Sequence, residues 1–330
     1  MNQSRRARPE GKDAEPKLRI GVALGGGAAK GLAHIGVLRA LTTGGVVPDG
    51  IAGTSMGALV GAFYCRDQGL EQAQSAAMEL ASERLIRTFP LHPHRGGLLS
   101  QDRIVDILKG EFSALRFQDL PLPFYCTATH LSVGKRAVFS SGALVPALLA
   151  SSAIPVVFPP VRHQGRFYVD GGVVDPVPTD VLRENGYDFI IAVNVFHTRG
   201  SSAARRNRSA YAGEKGPVWS VVDRMVERMV ERHVRRPAGG TGPGVLASFV
   251  QTFETMQQAL IESQLQRDAP DVVIQVDTRD FDFYEFDRAD EIIARGEETG
   301  RSMLERVRHG LALRSPAAGA RKRKGAPRRD

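Results

Sequence analysis

The sequence predicts an α/β domain in which a mainly parallel sheet lies between layers of helices, with a helical insertion late in the chain. Three observations predict this class: apolar strand patterns alternate with helix patterns, glycine-rich turns join strands to helices, and 42% of the 330 residues are hydrophobic. We expect one domain over residues 18–310, with a loop and helical insertion at 197–270. Residues 1–17 and 311–330 are basic and rich in Ala, Gly and Pro, which predicts disordered tails.

The first predicted strand is followed at once by a glycine-rich loop and a helix. Residues 18–24 form an apolar strand pattern, the loop spans 25–31, and apolar residues then recur at helical spacing from Leu32. Such a loop exposes backbone N–H groups at a helix N-terminus, where an anion can bind. The anion could be a dinucleotide pyrophosphate or a tetrahedral oxyanion. The dinucleotide fingerprint requires Gly or Ala where Lys30 stands, so the sequence favours the oxyanion.

The second predicted strand runs into a sharp turn with a serine at its apex. Gly53 and Gly57 flank Ser55, and an apolar helix pattern follows. A strand-to-helix turn of this kind needs glycines, because side chains there would collide with neighbouring backbone. The turn pushes the hydroxyl outward and places it at the positive end of a helix. Ser55 is therefore a candidate nucleophile, although the pattern alone fits an ordinary glycine-rich turn equally well.

A third candidate element is an aspartate at the end of a short apolar strand. Asp170 is followed by Gly171 and Gly172, and Asp-Gly pairs also mark simple turns. The order of the three elements favours a functional role, because parallel sheets present their strand ends at one edge. We expect Asp170 to lie near Ser55 at that edge, where its carboxylate can act as a base.

The other predicted elements are a strand pair at 123–130 and 136–140, further strands at 189–195 and 271–276, and a closing helix at 287–309.

The insertion is predicted to contain a polar mobile loop and two helices. The loop spans 197–216, and an apolar stripe over 217–236 predicts the first helix. A break rich in Pro and Gly at 235–244 separates it from a second helix, whose apolar residues run from Phe249 to Leu265. These helices are a candidate cap. They could pack on their own domain, on a second subunit in a homodimer, or on a membrane as a lid.

Together these segments resemble the three signature blocks of patatin-like phospholipases, which are lipid acyl hydrolases with a Ser-Asp dyad. The blocks are residues 26–31, 53–57 and 170–172, and 150–160 also resembles bacterial members. The resemblance covers about 18–195, with a weaker similarity over 271–304. It implies a patatin-like three-layer fold and a phospholipid or lysophospholipid substrate.

The resemblance also implies a role for each motif residue. Ser55 would be the nucleophile and Asp170 its base, and the backbone N–H groups of Gly26, Gly27 and Ala28 would hold the oxyanion. The supporting motif residues are Lys30, Gly31, Gly53, Gly57, Gly171 and Gly172. Two of these positions depart from the common family pattern: Ala28 replaces a glycine, and Lys30 stands where arginine is commoner.

These two departures carry expectations of their own. Ala28 can still donate its N–H if its backbone is right-handed. Lys30 is expected either to steady the loop or to meet an anionic head group.

Two other functions stay open. A Ser-His-Asp α/β-hydrolase also uses the serine turn, but it needs a histidine after the acid. His197, His233 and His309 follow Asp170, and none stands in an evident strand-end loop. Alternatively, the fold could serve as a lipid-binding or regulatory module with little turnover.

The other histidines do not indicate a metal site. His34 follows the glycine loop on a predicted helix, which favours a structural role, and His92 and His94 have no third ligand nearby. We therefore expect neither a metal nor an organic cofactor.

Composition bounds the location and the partners. Two cysteines in apolar segments fit a reducing compartment, and no long apolar run or signal pattern is evident, so we expect a cytoplasmic protein. The net charge of +8 is concentrated in the tails. Basic tails, or the helical insertion, could bring the protein to anionic lipid at the inner face of the membrane. No nucleic-acid recognition fold accompanies the charge, so no nucleic-acid partner is expected.

Overall fold

The computed structural model describes residues 18–68, 70–81, 101–196 and 245–314. Within these residues eight strands form one sheet. The strands are β1 (Ile20–Leu24), β2 (Gly50–Thr54), β3 (Phe124–His130), β4 (Lys135–Phe139), β5 (Val161–His163), β6 (Arg166–Asp170), β7 (Phe189–Asn194) and β8 (Val272–Gln275).

The helices in the described residues connect these strands and cover the sheet. They are α1 (Ala33–Thr43), α2 (Met56–Asp67), α3 (Glu71–Ala81), α4 (Asp102–Phe112), α5 (Leu144–Ser151), α6 (Thr179–Glu184), α7 (Val245–Asp268) and α8 (Ala289–Arg314). Short 3₁₀ helices lie at Ala28–Leu32, Phe117–Asp119, Gly171–Val173 and Phe286–Arg288.

The sheet is mainly parallel, as the sequence predicted. Its strand order is β5-β6-β3-β2-β1-β7-β8, with β4 paired to β3 outside this path. The pairs β1–β2, β1–β7, β2–β3 and β7–β8 are parallel, whereas β4, β5 and β6 join through antiparallel pairs. The predicted strand pair at 123–130 and 136–140 and the strands at 189–195 and 271–276 are confirmed within one residue at every boundary.

Helices cover both faces of the sheet, so the molecule has three layers. Alternate residues of a strand point to opposite faces. In β1, Val22 and Leu24 join a core shared with α1, α2, α4, α5 and α8, whereas Ala23 joins a second core shared with α6 and α7. The mainly parallel strands therefore bury both faces, which explains why their sequences are continuously apolar.

The closing helix is longer than predicted and packs directly on α1. It continues to Arg314, so the first residues assigned to the C-terminal tail are helical. A Cβ at Gly36 on α1 would overlap the carbonyl oxygen of Ile293, and one at Gly296 on α8 would overlap that of Ala33. The two helix backbones are in contact there, which fixes the helix that follows the glycine loop.

The second helix of the predicted insertion is confirmed as α7. The predicted helix at 217–236, the loop at 197–216, the N-terminal tail and residues 315–330 lie outside the described residues. Among the helices that the structure describes, none has the length and apolarity needed to cross a bilayer.

Candidate active site

Two strands that meet end to end along one edge of β3 bring Ser55 and Asp170 together. β2 is parallel to β3, and its Thr54 pairs with Thr127. β6 is antiparallel to β3, and its last residue, Asp170, pairs with Ala128. Because β4 pairs along the other edge of β3, β2 and β6 share an edge and stop at adjacent positions. The expected proximity is found, but the reason given for it is wrong: β6 is antiparallel and does not end with the parallel strands.

Ser55 lies at the apex of the turn between β2 and α2, and its hydroxyl donates directly to Asp170. The distance from Ser55 Oγ to Asp170 Oδ2 is 2.6 Å. Ser55 has φ 53° and ψ −122°, a conformation that residues other than glycine rarely adopt. Such strain is typical of a serine held outward at a strand-to-helix turn. Because α2 begins at the next residue, the positive end of its dipole lies beside the hydroxyl.

Close backbone contacts explain the two glycines around Ser55. A Cβ at Gly53 would lie 2.5 Å from the Gly57 carbonyl oxygen, and a Cβ at Gly57 would overlap the carbonyl oxygens of Leu24 and Gly25. No side chain fits at either position without moving backbone. The predicted reason for these glycines is therefore confirmed.

Asp170 is buried and held at both ends of its carboxylate. It is 1% exposed, and its Oδ1 accepts the Gly172 N–H at 2.7 Å while Oδ2 accepts the Ser55 hydroxyl. Its backbone is held as well: its N–H donates to the Ala153 carbonyl at 2.8 Å, and its carbonyl accepts the Thr129 hydroxyl at 2.8 Å. These contacts leave the carboxylate one orientation, with one oxygen on the serine.

Burial changes the acidity of this carboxyl. Loss of hydration raises the pKa of Asp170 from 3.8 to about 7, and the hydrogen bonds from Ser55 and Gly172 oppose only part of that rise. The neighbouring thiol of Cys126 on β3 is also buried, which raises its pKa to about 12. A carboxyl group with a pKa near neutrality is well matched to accept a proton from a hydroxyl.

A residue without a predicted role, Ser151, anchors the backbone of Ser55. The N–H of Ser55 donates to Ser151 Oγ at 2.8 Å. Ser151 ends α5. The segment around Ser151 carries part of the family resemblance, but nothing in its local pattern indicates which backbone group Ser151 binds.

The glycine loop places two of its three predicted oxyanion donors where they are free. The N–H of Gly26 donates to the Pro176 carbonyl at 3.0 Å, so its prediction as an oxyanion donor is corrected. Among the described residues, the N–H groups of Gly27 and Ala28 have no hydrogen-bond partner. They open the 3₁₀ helix Ala28–Leu32, and the first N–H groups of a helix lack partners within it.

The backbone conformation expected for Ala28 is not found. Its φ is 46°, so its backbone is left-handed rather than right-handed. This conformation favours glycine over alanine. The N–H of Ala28 is unpaired all the same, so its role as an oxyanion donor stays a prediction.

Residues far apart in the chain hold the glycine loop in place. The N–H of Gly25 donates to the Val193 carbonyl, and that of Ala29 donates to the Phe283 carbonyl, both at 3.1 Å. His34 Nε2 lies 2.7 Å from the Gly25 carbonyl oxygen and donates to it. Burial lowers the pKa of His34 from 6.5 to about 4, against the effect of that bond, so the ring is neutral. The structural role predicted for His34 agrees with this contact.

Lys30 steadies the loop. Its ammonium lies 2.5 Å from Glu254 Oε1 on α7, and both side chains are largely buried. In this structure the charged end of Lys30 meets Glu254, and contact of Lys30 with an anionic head group stays a prediction.

Gly31 and Gly171 permit close contacts around the site. A Cβ at Gly31 would lie 2.6 Å from Met56 Cβ, and a Cβ at Gly171 would lie 2.6 Å from the Thr127 carbonyl oxygen. Gly31 therefore lets the loop approach the start of α2, and Gly171 lets the turn after Asp170 approach β3.

No histidine stands between the serine and its acid. Asp170 accepts the hydrogen bond of the Ser55 hydroxyl directly, whereas His309 is exposed on α8. His92, His94, His197 and His233 lie outside the described residues. In the part of the chain that the structure describes, no group of three or more His, Cys, Asp or Glu side chains is placed to hold a metal ion.

A polar network behind the serine turn was also not predicted. Asp175 is buried and paired with Arg136 of β4 at 2.9 Å, and it accepts a hydrogen bond from Gln264 of α7. The Asp175 carbonyl accepts the Thr54 hydroxyl at 2.8 Å. Its members come from distant segments, so no local pattern could have revealed it.

Comparisons with known proteins show which sequences this chain is similar to. Residues 22–183 match the family model for patatin-like phospholipase. The chain is 36% identical over 177 residues to an uncharacterized NTE family protein of Mycobacterium tuberculosis, a match that covers 54% of this chain and 49% of that protein. It is 27% identical over 325 residues to the lysophospholipase NTE1 of Pyricularia oryzae, which covers 94% of this chain and 20% of that protein.

A fungal relative and a solved structure extend these similarities. The chain is 31% identical over 212 residues to the lysophospholipase nte1 of Aspergillus fumigatus, covering 62% of this chain and 13% of the relative. VipD from Legionella pneumophila aligns with a TM-score of 0.44 at 14% identity, over 88% of this chain and 67% of VipD. The chain thus spans about half the length of the mycobacterial relative, 49%, and far less of the fungal ones.

Proposed function

The chain belongs to the patatin-like phospholipase family through residues 22–183, and from this premise we propose that it is a serine lipid acyl hydrolase. The proposed reaction is cleavage of fatty-acyl esters of phospholipids or lysophospholipids by a Ser-Asp dyad through an acyl-enzyme. The observation that carries the proposal is the direct hydrogen bond from Ser55 Oγ to Asp170 Oδ2, 2.6 Å long. The relatives named lysophospholipases support the class of substrate.

In the proposed first step, Ser55 Oγ attacks the ester carbonyl carbon while its proton passes to Asp170 Oδ2. The carbonyl oxygen becomes an oxyanion, and the free N–H groups of Gly27 and Ala28 are the proposed donors to it. Collapse of the tetrahedral intermediate breaks the bond to the alcohol, which leaves with the proton from Asp170. The acyl group remains on Ser55 as an ester.

In the proposed second step, water attacks the acyl-enzyme and gives a proton to Asp170. A second oxyanion forms and collapses, the bond to Ser55 Oγ breaks, and the proton returns to the serine. The fatty acid is then released. Asp170 serves both steps because its pKa of about 7 lets it accept and return a proton near neutral pH.

A fluorophosphonate probe and a lipid panel test this function. The probe should label the purified protein at the peptide that contains Ser55, and Ser55→Ala should remove both the label and fatty-acid release from lysophosphatidylcholine vesicles. Equal labelling of Ser55→Ala would contradict the assignment of the nucleophile. Binding of the vesicles without labelling or release would favour a lipid-binding module.

We also propose that the protein acts in the cytoplasm at the inner face of the membrane. Two free, buried cysteines are compatible with a reducing compartment. Fractionation of cells that express the full chain tests the location: recovery in the cytosolic and washed-membrane fractions supports it, and recovery outside the cell contradicts it.

A further inference from the structure

One face of α7 contacts the loops that build the site. Four polar side chains recur on that face at the spacing of a helix, with the buried Ile261 between them: Glu254, Gln257, Gln264 and Asp268. Gln264 binds Asp175 and Asp268 accepts the Thr179 hydroxyl at 3.0 Å. The remaining two, Glu254 and Gln257, are less than one helical turn apart and lie closest to the proposed chemistry.

Glu254 reaches the glycine loop through Lys30. Their ion pair is 2.5 Å long, and the side chains are 11% exposed for Lys30 and 18% for Glu254. Lys30 belongs to the 3₁₀ helix Ala28–Leu32, whose first N–H groups are the proposed oxyanion donors. A pair this shielded from water is screened less by salt than a surface pair, so it can hold the loop against motion.

Gln257 reaches the turn that carries Asp170. It is 4% exposed, and its amide lies directly against Gly172, where a Cβ would overlap Nε2. The N–H of Gly172 is the donor to Asp170 Oδ1. Within the described residues, the Gln257 Oε1 atom has no hydrogen-bond partner. A buried amide kept here without full hydrogen bonding indicates a role beyond packing.

We propose that this turn of α7 is a two-point clamp, in which Glu254 fixes the oxyanion loop through Lys30 and Gln257 shields the Asp170 turn from water. Both are positioning residues, because they act through other groups and not on the substrate. The inference rests on the proposed function for its meaning in catalysis. In physical terms, α7 sets both the geometry of the glycine loop and the hydration of Asp170.

The proposed shielding by Gln257 acts on one titratable group, the carboxyl of Asp170. The groups that face Asp170 are the Ser55 hydroxyl at the start of α2, the Gly172 N–H in its own turn, and the Cys126 thiol on β3. The hydroxyl does not titrate near neutrality, and burial raises the pKa of Cys126 to about 12. A change in titration near pH 7 on altering Gln257 therefore reports on Asp170.

The loop half is tested with Glu254→Ala and with the double variant Lys30→Met, Glu254→Ala. The double variant leaves no unpaired buried charge, so it should fold even if the single variant does not. For a soluble short-chain ester we expect kcat to fall about ten-fold or more in both, with KM changed less than about two-fold, because the donors are misplaced only slightly. Glu262→Ala, at an exposed position of the same helix, is the matched control and should behave as the wild type.

The shielding half is tested with Gln257→Ala, with the exposed Gln266→Ala as its control. Water entering beside Gly172 should lower the apparent pKa of kcat/KM by about one unit relative to the wild type. Glu254→Ala should leave that pKa unchanged, since it acts on the other loop. A purely structural role for Gln257 would lower stability without moving the pKa.

Failure of the clamp and failure of the proposed function give different results. If the wild type hydrolyses esters but the folded double variant keeps kcat within two-fold and Gln257→Ala keeps the pKa, the clamp is wrong and the function stands. If the wild type does not hydrolyse esters, the pH dependence of Tm still decides the shielding. Gln257→Ala should then lose less stability between pH 4 and pH 7 than Gln266→Ala, and equal losses overturn the proposal.

Discussion

The serine turn and the glycine loop both carry glycine-rich motifs, yet they are held by different means. Gly53 and Gly57 are required because a Cβ at either position would collide with backbone, either that of the serine turn itself or that at the end of the adjacent β1. The loop at 25–31 instead depends on partners far along the chain, among them Pro176 and Glu254. The comparison teaches that a motif can specify a strained local shape, whereas which of its N–H groups stay free depends on the tertiary structure.

The two regions also differ in how burial acts on their titratable groups. Burial raises the pKa of Asp170, next to the serine turn, to about 7. Burial lowers the pKa of His34, beneath the glycine loop, to about 4. In both cases the neutral form is favoured, but the effects on stability run in opposite directions with pH.

The largest expected effect separates function from stability at the serine turn. Asp170→Asn should reduce ester hydrolysis by about 10³-fold or more, because the amide cannot accept the Ser55 proton. At pH 8 the same variant should be more stable by about 1–3 kcal/mol, because the native protein must keep a buried carboxylate there. Steady-state kinetics and chemical denaturation measure the two. Retained activity, or lost stability at pH 8, would contradict the role given to Asp170.

A matched pair of glycine variants tests the difference between the two regions. Gly57→Ala should destabilise the protein by about 3 kcal/mol or more, because its Cβ would overlap two carbonyl oxygens. Gly26→Ala should change stability by less than about 1 kcal/mol, because its Cβ would lie 3.6 Å from Ser55 Cβ with no closer atom. Urea denaturation of both variants checks this. Similar losses would mean that the loop is as tightly constrained as the turn.

His34 and Asp170 should make the free energy of unfolding depend on pH in opposite directions. Between pH 6.5 and pH 4, His34 binds a proton in the unfolded chain but stays neutral in the folded protein. This residue therefore lowers stability as pH falls. Between about pH 4 and pH 7 the folded protein keeps a proton on Asp170 that the unfolded chain has lost, so this residue lowers stability as pH rises. The stability of the wild type should therefore change less with pH than it would if only one of the two residues titrated.

Single variants separate the pH dependence of stability due to His34 from that due to Asp170. In Asp170→Asn, the loss of stability on acidification from pH 6.5 to 4 should become visible, with an upper bound of about 3.4 kcal/mol. In His34→Gln, which keeps an amide donor for the Gly25 carbonyl, the loss on raising pH towards 7 should become visible. Tm measured across this range tests both. Parallel profiles for the two variants would show that these groups do not dominate the dependence.

The smallest expected effect concerns Ala28. Because its φ is 46°, Ala28→Gly should relieve strain and stabilise the protein by about 0.5–1 kcal/mol after the greater freedom of glycine in the unfolded chain is subtracted. Denaturation curves measure this gain. A loss of stability would show that the Ala28 methyl group contributes packing that outweighs the strain.

Local patterns were sufficient for the fold class, the three motifs and every described strand except the short β5 (Val161–His163). The pairing of Ser55 with Asp170 was also anticipated, but through a parallel arrangement that β6 does not adopt. Strand direction at the edge depends on which neighbour a short strand finds, and its alternation of residues is the same for either direction. The residues that sequence reasoning missed, such as Ser151, Gln257 and Gln264, share one property: each acts through a partner more than 80 residues away.

The rate of Ser55 acylation by a fluorophosphonate as a function of pH tests the central claim most directly. If Asp170 takes the proton from Ser55, the rate should rise about ten-fold per pH unit below an apparent pKa near 7 and level off above it. At pH 8, above that pKa, Asp170→Asn should acylate at least about 10²-fold more slowly, and the difference should shrink as pH falls and the wild-type carboxylate is protonated. A rate in the wild type that does not change between pH 5 and pH 8, or an unchanged profile in Asp170→Asn, would contradict the dyad.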